Sequence, residues 1–370
     1  MTTVSPHTRA APEQADGDLP LAQAAKNTPT SLWLDSADPV ELEHALTYGI
    51  VGATCNPVIA FGVVQRHLDV WGPFLGRLAA ERPQATETEL GWRTVEELSV
   101  QSARLLLPVF ERTGGRDGRL SIQTDPRLHR DAGAIVEQAV RFSRLAENII
   151  VKIPATAAGV RAAEEATYRG VSVNATVSFS VPQALAMAEA VERGIQRRLD
   201  EGQPDREFGS VITIMGGRLD DWLKAYAERH RLLADPGHLE WAGVAVIKRA
   251  YQLFRERGYR SRVLAGAFRN RFLFTELVGG DLVITINYDW QQRLNDGGAA
   301  VDPAAIDRPV VPAIIAGLAE LPDFVRAYEP DGLAVADFDG YAPSRRTLRE
   351  FLDADAKLDE LVRDVLVPAP

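Results

Sequence analysis

Short runs of consecutive apolar residues recur along the chain, and a longer stretch with helical periodicity follows most of them. Within these runs the apolar residues are adjacent rather than alternating with polar ones, which is typical of parallel strands covered on both faces. The sequence predicts eight such strands, at residues 31–35, 49–54, 119–124, 148–153, 171–176, 210–215, 262–267 and 282–287. Eight alternations of strand and helix favour a single α/β domain, a (β/α)8 or TIM barrel, with an open doubly wound sheet as the alternative.

The helices and the two chain ends complete this domain prediction. Asp38 followed by Pro39 is typical of a helix start, and Gly170 ends an amphipathic segment that begins near residue 157. Residues 64–112 hold more helix than one crossover needs, so we interpret them as a helical insertion. Residues 347–366 predict a C-terminal helix on the outside of the barrel. Residues 1–28 lack periodicity and are predicted to be a mobile extension, which leaves 29–370 as the barrel domain.

Composition limits the classes of function. The 370 residues are 46% hydrophobic and 25% charged, which is enough for a large globular core. The formal net charge of −10 argues against a general nucleic-acid-binding surface. No run approaches the roughly 18 apolar residues of a membrane span, and the N-terminal segment lacks the apolar run of a signal peptide. Cys55 is the one cysteine, so no intrachain disulfide can form and a reducing compartment, the cytoplasm, is expected.

Two kinds of binding site are not indicated by the sequence. The six histidines are scattered, and none is spaced from another histidine or from the cysteine as zinc ligands are. The chain also lacks the glycine-rich phosphate loops of nucleotide-binding proteins. We therefore expect neither a metal site nor a nucleotide site.

Candidate chemistry comes from the ends of the predicted strands. In a (β/α)8 barrel the residues at the C-terminal ends of the strands face one shared mouth. Ten polar residues lie at or just after these ends: Asp35, Thr54, Asn56, Gln123, Lys152, Asn174, Thr176, Thr213, Arg218 and Arg269. Seven successive strands each contribute at least one of them, which predicts a polar site at the mouth.

Lys152 ends an apolar strand, "NIIVKI", and has two interpretations. Its ammonium group either reaches solvent or a carboxylate, or it loses its proton and acts as a nucleophile. Lowering the lysine pKa from about 10.4 to ~7–8 requires burial and suitable neighbours, which a barrel mouth provides. A neutral amine then forms a Schiff base with a ketone, which arginine cannot do. Only five of the 41 lysines and arginines are lysine, so a lysine in this strand favours the nucleophile.

The other candidates also have alternative roles. Asp35 either caps a helix or transfers protons near the amine, and Asp38 is already placed to act as the cap. Asn56 and Asn174 either form turns or bind a polyol through their amides. Arg218 and Arg269 follow the sixth and seventh strands, where many barrels bind phosphate, although the chain is rich in arginine. Two guanidinium groups at adjacent positions would bind an anion.

Several of these segments resemble transaldolases, which form a Schiff base between a lysine and a ketose. The resemblance covers about residues 31–290 and is carried by "SLWLDSADPVEL", "VGATCNP", "IIVKIPATAAGVRAAEEATYRGVSVNATVSFSVPQA", "RLDDW" and "GAFRN". It implies a (β/α)8 barrel that transfers a dihydroxyacetone unit from sedoheptulose 7-phosphate or fructose 6-phosphate to an aldose phosphate. It also implies the pentose phosphate pathway of carbohydrate metabolism, no metal or organic cofactor, phosphorylated sugars as partners without nucleic acid or membrane, and a monomer or homodimer.

The resemblance assigns a role to most of the candidates. Lys152 is similar to the Schiff-base lysine, Asp35 to the aspartate that accepts the proton of the C4 hydroxyl, and Thr176 to the threonine that holds a catalytic water. The implied substrate-binding residues are Thr54, Asn56, Asn174, Thr213, Arg218 and Arg269, the two arginines being similar to the pair that binds the sugar phosphate.

Two positions depart from the transaldolase pattern. Gln123 stands where transaldolases carry a glutamate that moves protons through the catalytic water, and an amide cannot do this. The related fructose-6-phosphate aldolases resemble this chain in having glutamine there. Met215 precedes Arg218 where an aromatic residue is frequent. A lysine-dependent aldolase or a specialised enzyme with altered substrates is therefore the first alternative, and a sugar-phosphate-binding barrel without turnover is the second.

Overall fold

Eight parallel strands close into a barrel in the computed structural model, which describes residues 19–368. The strands are β1 Ser31–Leu34, β2 Gly52–Thr54, β3 Arg119–Gln123, β4 Ile149–Pro154, β5 Val173–Thr176, β6 Val211–Ile214, β7 Arg262–Ala265 and β8 Val283–Ile286. Each strand pairs with its successor along the chain, and β8 pairs with β1 with Ser31 opposite Val283. Seven predicted strands contain an observed one, and β4 extends one residue beyond its predicted end at 153. The (β/α)8 prediction is therefore confirmed and the open-sheet alternative is wrong.

Helices follow the strands and surround the barrel. They are α1 Pro20–Asn27, α2 Pro39–Leu46, α3 Pro57–Arg66, α4 Leu68–Glu81, α5 Glu87–Arg112, α6 Ala132–Ser143, α7 Ala157–Tyr168, α8 Val181–Asp200, α9 Gly216–His230, α10 Pro236–Leu239, α11 Ala242–Arg257, α12 Phe272–Thr275, α13 Tyr288–Asp296, α14 Pro312–Leu318, α15 Pro322–Tyr328 and α16 Ala342–Leu366. Short 3-10 helices lie at Pro126–Leu128, Ala305–Asp307 and Val335–Gly340. None of these described helices combines the length and apolar character needed to cross a bilayer.

An apolar layer fills the barrel below the strand ends. Its members come from five of the eight strands and are fully buried: Trp33, Ile150, Val211, Leu264 and Val283. Gly52 faces the Trp33 indole so closely that a Cβ atom there would lie 2.5 Å from the ring. Glycine at this position therefore makes room for the tryptophan, and the layer forms an apolar floor beneath the polar strand ends.

The N-terminal segment differs from its prediction where the structure describes it. Of the predicted mobile extension over 1–28, residues 1–18 lie outside the described part of the chain. Residues 20–27 form α1, in which Leu21 and Ala24 are fully buried and the Leu21 N–H donates to Asn295 Oδ1 at 3.1 Å. The prediction of mobility is therefore wrong for α1, because its short apolar face packs against the barrel.

The helical insertion and the C-terminal helix lie together. Residues 64–112 are largely helical, with the end of α3 followed by α4 and the 26-residue α5. Helix α16 packs against α3, α4 and α5 and also contacts α9, so it crosses the C-terminal ends of the strands. The prediction that it lies on the barrel exterior is wrong. Its apolar stripe, which includes Phe351 and Leu358, covers the mouth instead.

Candidate active site

A cavity of about 80 Å³ opens at the C-terminal ends of the strands. Eight of the ten predicted site residues line it: Asp35, Thr54, Asn56, Lys152, Thr176, Thr213, Arg218 and Arg269. Five further residues complete its wall: Met215, Leu264, Gly266, Ala267 and Thr285. The strand-end rule therefore brings together most of the predicted site, while Gln123 and Asn174 lie just outside the cavity.

Lys152 is the buried cation of this cavity. Its residue is 6% exposed and lies on β4, opposite Gln123 of β3 and Asn174 of β5. Burial lowers the pKa of the Lys152 ammonium, and the nearby Asp35 and Cys55 oppose this shift more weakly. Within residues 19–368, Lys152 Nζ forms no hydrogen bond and no ion pair within 4 Å. This geometry argues against a salt-bridged or solvent-exposed lysine and favours the neutral amine.

Asp35 faces the cavity beside this amine. Thr54 Oγ1 donates a hydrogen bond to Asp35 Oδ1 at 2.5 Å, which fixes the carboxylate at the edge of the cavity. The cap of α2 is Asp38, whose Oδ1 accepts the Val40 N–H at 3.0 Å. The helix-cap interpretation of Asp35 is therefore wrong, and its second carboxylate oxygen is available for proton transfer.

The two asparagines have different positions. Asn56 caps α3, because its Oδ1 accepts the Ile59 N–H at 3.0 Å, and it also lines the cavity. Asn174 is fully buried below the cavity, where its Nδ2 donates to Ser121 Oγ at 2.9 Å and its Oδ1 accepts from Thr213 Oγ1 at 2.7 Å. Asn174 therefore supports the cavity wall through Thr213 and does not itself line it. The contact with Ser121 could not be predicted, because a serine in the middle of a strand has no feature in the local sequence that indicates its partner.

Both predicted anion-binding arginines are engaged by carboxylates. Arg218 forms an ion pair with Glu350 of α16 and donates to Thr347 Oγ1 at 3.3 Å. Arg269 Nε lies 2.9 Å from Asp221 Oδ2. Neither Glu350 nor Asp221 was predicted, since nothing in the local sequence indicates these contacts. An anionic ligand has to compete with these two carboxylates for the guanidinium groups.

Backbone strain occurs next to two cavity residues. Val177, directly after Thr176, has φ 51°, and Ala267 in the cavity wall has φ 59°. The left-handed region is unfavourable for residues with a Cβ, particularly a β-branched valine, and costs about 1–3 kcal/mol. The Val177 carbonyl accepts from Gln183 Nε2 at 3.2 Å, which holds this conformation. Packing therefore fixes the backbone on both sides of the site.

Comparisons with known proteins identify the relatives of this chain. The family model described as "Transaldolase/Fructose-6-phosphate aldolase" matches residues 32–333. The chain belongs to this family. A curated protein named transaldolase from Thiobacillus denitrificans is 33% identical over 244 residues, covering 61% of this chain and 64% of that protein. Another from Mycobacterium tuberculosis is 30% identical over 254 residues, covering 64% and 66%. The match thus spans less than two thirds of either relative.

Gln123 lies apart from the cavity of this transaldolase/aldolase family member. It lines a second cavity of about 10 Å³ together with Cys55, Asn56, Trp92 and Asp355. Gln123 Oε1 is buried and has no hydrogen-bond partner. Burial also raises the pKa of the Cys55 thiol to about 12. The sequence predicted the importance of position 123 but not its neighbours Trp92 and Asp355, which come from α5 and α16.

Proposed function

We propose that this chain is a transaldolase, in which Lys152 forms a Schiff base with a ketose phosphate and passes a dihydroxyacetone unit to an aldose phosphate. One observation carries the proposal: Lys152 is buried among polar strand ends, its pKa is lowered by burial, and its amine has no partner in the described chain. A neutral amine at the mouth of a barrel is the group that attacks a ketone carbonyl. The family names of the relatives agree with this chemistry.

The proposed cleavage uses Lys152 and Asp35. Lys152 Nζ adds to the C2 carbonyl, and loss of water leaves a protonated imine that withdraws electrons. Asp35, oriented by Thr54, accepts the proton of the C4 hydroxyl. The C3–C4 bond then breaks, its electron pair moves into the imine to form an enamine, and C4 becomes the aldehyde of the first product. An aldose accepts the enamine by the reverse steps, and hydrolysis frees Lys152.

The phosphate group of the substrate is assigned to Arg218 and Arg269. Both guanidinium groups border the cavity, and Gly217 allows the Arg269 side chain to pass close to the start of α9. The planar fork of arginine matches phosphate oxygens well, and a dianion competes effectively with single carboxylates. We propose sedoheptulose 7-phosphate or fructose 6-phosphate as donor, with the reaction in the pentose phosphate pathway of the cytoplasm.

Reduction of the covalent adduct tests this proposal. Wild-type protein incubated with fructose 6-phosphate and borohydride should gain the mass of a reduced dihydroxyacetone or hexose adduct, located by peptide mass spectrometry within residues 149–154. Lys152→Met is the matched control and should gain none. An acceptor screen with erythrose 4-phosphate then measures transfer. A wild-type protein that stays unmodified would overturn the Schiff-base proposal, and binding of fructose 6-phosphate without an adduct would identify a sugar-phosphate-binding barrel without turnover.

A lysine-dependent aldolase is the second candidate, and Gln123 favours it. An amide at this position cannot donate or accept a proton when the enamine is protonated. The rates of release and of transfer of the dihydroxyacetone unit should therefore differ from those of an enzyme with a carboxylate at this position. The test compares two rates in the same protein: release of free dihydroxyacetone from fructose 6-phosphate, and transfer to erythrose 4-phosphate. Faster release than transfer identifies the aldolase; faster transfer identifies the transaldolase.

A further inference from the structure

A cavity of about 650 Å³ lies beside α16 and is separate from the Lys152 cavity. Its wall comes from the segment after β3, from α9, from the 3-10 helix Val335–Gly340 and from the first half of α16. Within residues 19–368, no residue lines both cavities. Sites for small organic ligands usually have volumes of about 300–1,000 Å³, so this second cavity has the size of such a site.

Positive charge dominates the wall of this cavity. Four of the ten described residues that line it are arginines: Arg130, Arg345, Arg346 and Arg349. Asp339 is the single carboxylate among the ten, and its Oδ1 accepts the Ala157 N–H at 2.9 Å. The chain as a whole has a net charge of −10, so this concentration of guanidinium groups is opposite to its overall balance. The cavity therefore attracts anions.

Two of these arginines have no partner in the described chain. The side chains of Arg130 and Arg345 form no hydrogen bond and no ion pair within residues 19–368. Arg345 also lies one helical turn from Arg349 on α16, and like charges at this spacing repel each other. Because this arrangement does not stabilise the helix, it favours a role in binding an anion.

The other two arginines have weak partners. Arg349 Nε lies 3.2 Å from Asp353 Oδ1, but both side chains are more than half exposed, and exposed ion pairs contribute little. Arg346 Nε lies 3.6 Å from Glu350 Oε1, and the same carboxylate also binds Arg218. An anion with several charges can therefore replace these contacts.

The cavity also has an apolar side. Trp222 of α9 and Leu348 and Leu352 of α16 belong to its wall. Trp222 Nε1 donates to Asp323 Oδ2 at 2.8 Å, which fixes the orientation of the indole. Aromatic side chains stack on nucleic-acid bases, and the planar fork of arginine binds phosphate. A ligand that combines phosphate groups with a ring matches both sides of the cavity.

We propose that the arginine cavity, formed by Arg130, Arg345, Arg346, Arg349 and Trp222, binds a small organic ligand with at least two phosphate groups, such as a nucleoside triphosphate. One phosphate group is matched by one or two guanidinium groups, so four of them fit a ligand with more than one phosphate. This anion site is additional to the arginine pair that we assign to the substrate phosphate.

Calorimetric titration of the full chain with ATP, in the absence of magnesium, tests this proposal. Inorganic triphosphate, inorganic phosphate and adenosine are the comparison ligands. ATP and triphosphate should bind at least about tenfold more tightly than phosphate, because they form more charge-assisted contacts, and adenosine should not bind measurably. Tighter binding of ATP than of triphosphate would show that the apolar side contributes, and equal binding would identify the phosphate chain as the recognised group. Phosphate that binds as tightly as triphosphate would overturn the proposal.

Three variants locate the bound anion. Arg345→Ala should weaken ATP binding about tenfold, and the fold should stay intact because this side chain has no partner to lose. Arg77→Ala removes an exposed arginine of α4 outside the cavity and is the matched control, with wild-type affinity expected. Arg269→Ala should also keep wild-type affinity, because Arg269 lines the Lys152 cavity.

Two results contradict the arginine cavity as a ligand site. One is the absence of ATP and triphosphate binding to wild type. The other is loss of ATP binding in Arg269→Ala but not in Arg345→Ala, which would place the anion in the proposed substrate site. Calorimetry measures binding without turnover, so failure of the Schiff-base reaction would leave this test unaffected.

Discussion

At the scale of single residues, the buried Lys152 side chain lowers the stability of the fold at neutral pH. The pKa of Lys152 is lowered in the folded protein relative to its ordinary value of 10.5, so the unfolded chain binds more protons below that pH. Stability associated with this group therefore rises as the pH approaches 10.5 and is reduced at neutral pH. The amine that supports the chemistry is held in place by the rest of the barrel.

Lys152→Met should thus abolish the covalent adduct and at the same time raise the unfolding temperature. Methionine has a similar volume and no charge to bury, so we expect a gain of about 2 °C at pH 7 for a chain of this size. The gain should shrink above pH 10.5, where the native lysine is neutral in both states. Thermal denaturation followed at pH 7 and pH 10.5 measures this, and a lower melting temperature at pH 7 would contradict it.

Arg269→Ala should weaken the binding of phosphorylated sugars selectively. In the proposed binding mode the Arg269 guanidinium contacts the phosphate and not the dihydroxyacetone part of the substrate. Removing it should therefore raise KM for fructose 6-phosphate about tenfold or more. Unphosphorylated fructose is the comparison substrate. An equal increase in KM for both sugars would show that Arg269 does not bind the phosphate group.

Asn174→Ala should lower the free energy of unfolding and have little effect on KM, because Asn174 lies outside the cavity lining. The change leaves the Ser121 and Thr213 hydroxyls without their buried partner and opens a small void, which costs about 2–4 kcal/mol. Chemical denaturation gives this value directly. The opposite pattern, an intact unfolding free energy with a large rise in KM, would return Asn174 to the substrate-binding set.

These residues show how much of the site the sequence could predict. The rule that strand ends share one mouth located eight of the ten candidates, because position along an apolar run determines which end a residue occupies. Asn174 lies outside the cavity lining because its depth depends on how neighbouring strands stagger, which the chain does not state locally. Its substrate-binding role stays a prediction. Glu350 and Asp355 could not be predicted, since they lie about 200 residues from Lys152 along the chain. The path of α16 brings Glu350 to Arg218 and Asp355 to the neighbourhood of Gln123.

At the scale of elements, α16 is the helix that converts an open mouth into a covered site. Its periodicity predicted a helix, but an apolar stripe does not say which surface it covers, and the exterior placement was wrong. The stripe of Phe351, Leu358 and Val362 is buried against the helices that follow β2, while Glu350 reaches Arg218. The Arg218 guanidinium also lies over the Phe351 ring at 5.5 Å.

Glu350→Gln should therefore improve the binding of phosphorylated substrates. The Glu350 carboxylate neutralises Arg218, and an amide leaves the guanidinium free for phosphate. We expect KM for fructose 6-phosphate to fall about threefold to tenfold, equivalent to about 1 kcal/mol, with kcat nearly unchanged. Glu360→Gln, an exposed change on the same helix, is the control. An unchanged KM in Glu350→Gln would show that the Arg218–Glu350 ion pair does not weaken the binding of the substrate phosphate.

At the scale of the whole molecule, the closed barrel depends on close packing between Trp33 and Gly52 in the apolar floor. Trp33 fills the space next to Gly52, so Gly52→Ala places a methyl group inside the indole van der Waals surface. Overpacking of this kind costs about 1–3 kcal/mol and should lower the unfolding temperature by several degrees. Gly72→Ala, where a Cβ meets no atom within 4 Å, is the matched control. Because Gly72 lies inside α4 and alanine favours a helix more than glycine, this variant should melt at or slightly above the wild-type temperature. Equal melting temperatures for both variants would mean that the barrel deforms freely at its floor.

The Trp33 floor also ties the packing of the barrel to the shape of its cavity. Leu264 belongs to the floor together with Trp33 and also lines the Lys152 cavity, and Ile150 of the floor lies two residues before Lys152 on β4. Residues two apart on a strand project to the same face, so Ile150 lies one layer below the lysine. Because a close-packed interior transmits strain, a substitution that shifts the floor also shifts the cavity wall and the strand that carries the amine. Selection at these apolar positions therefore acts on the site above them as well as on stability.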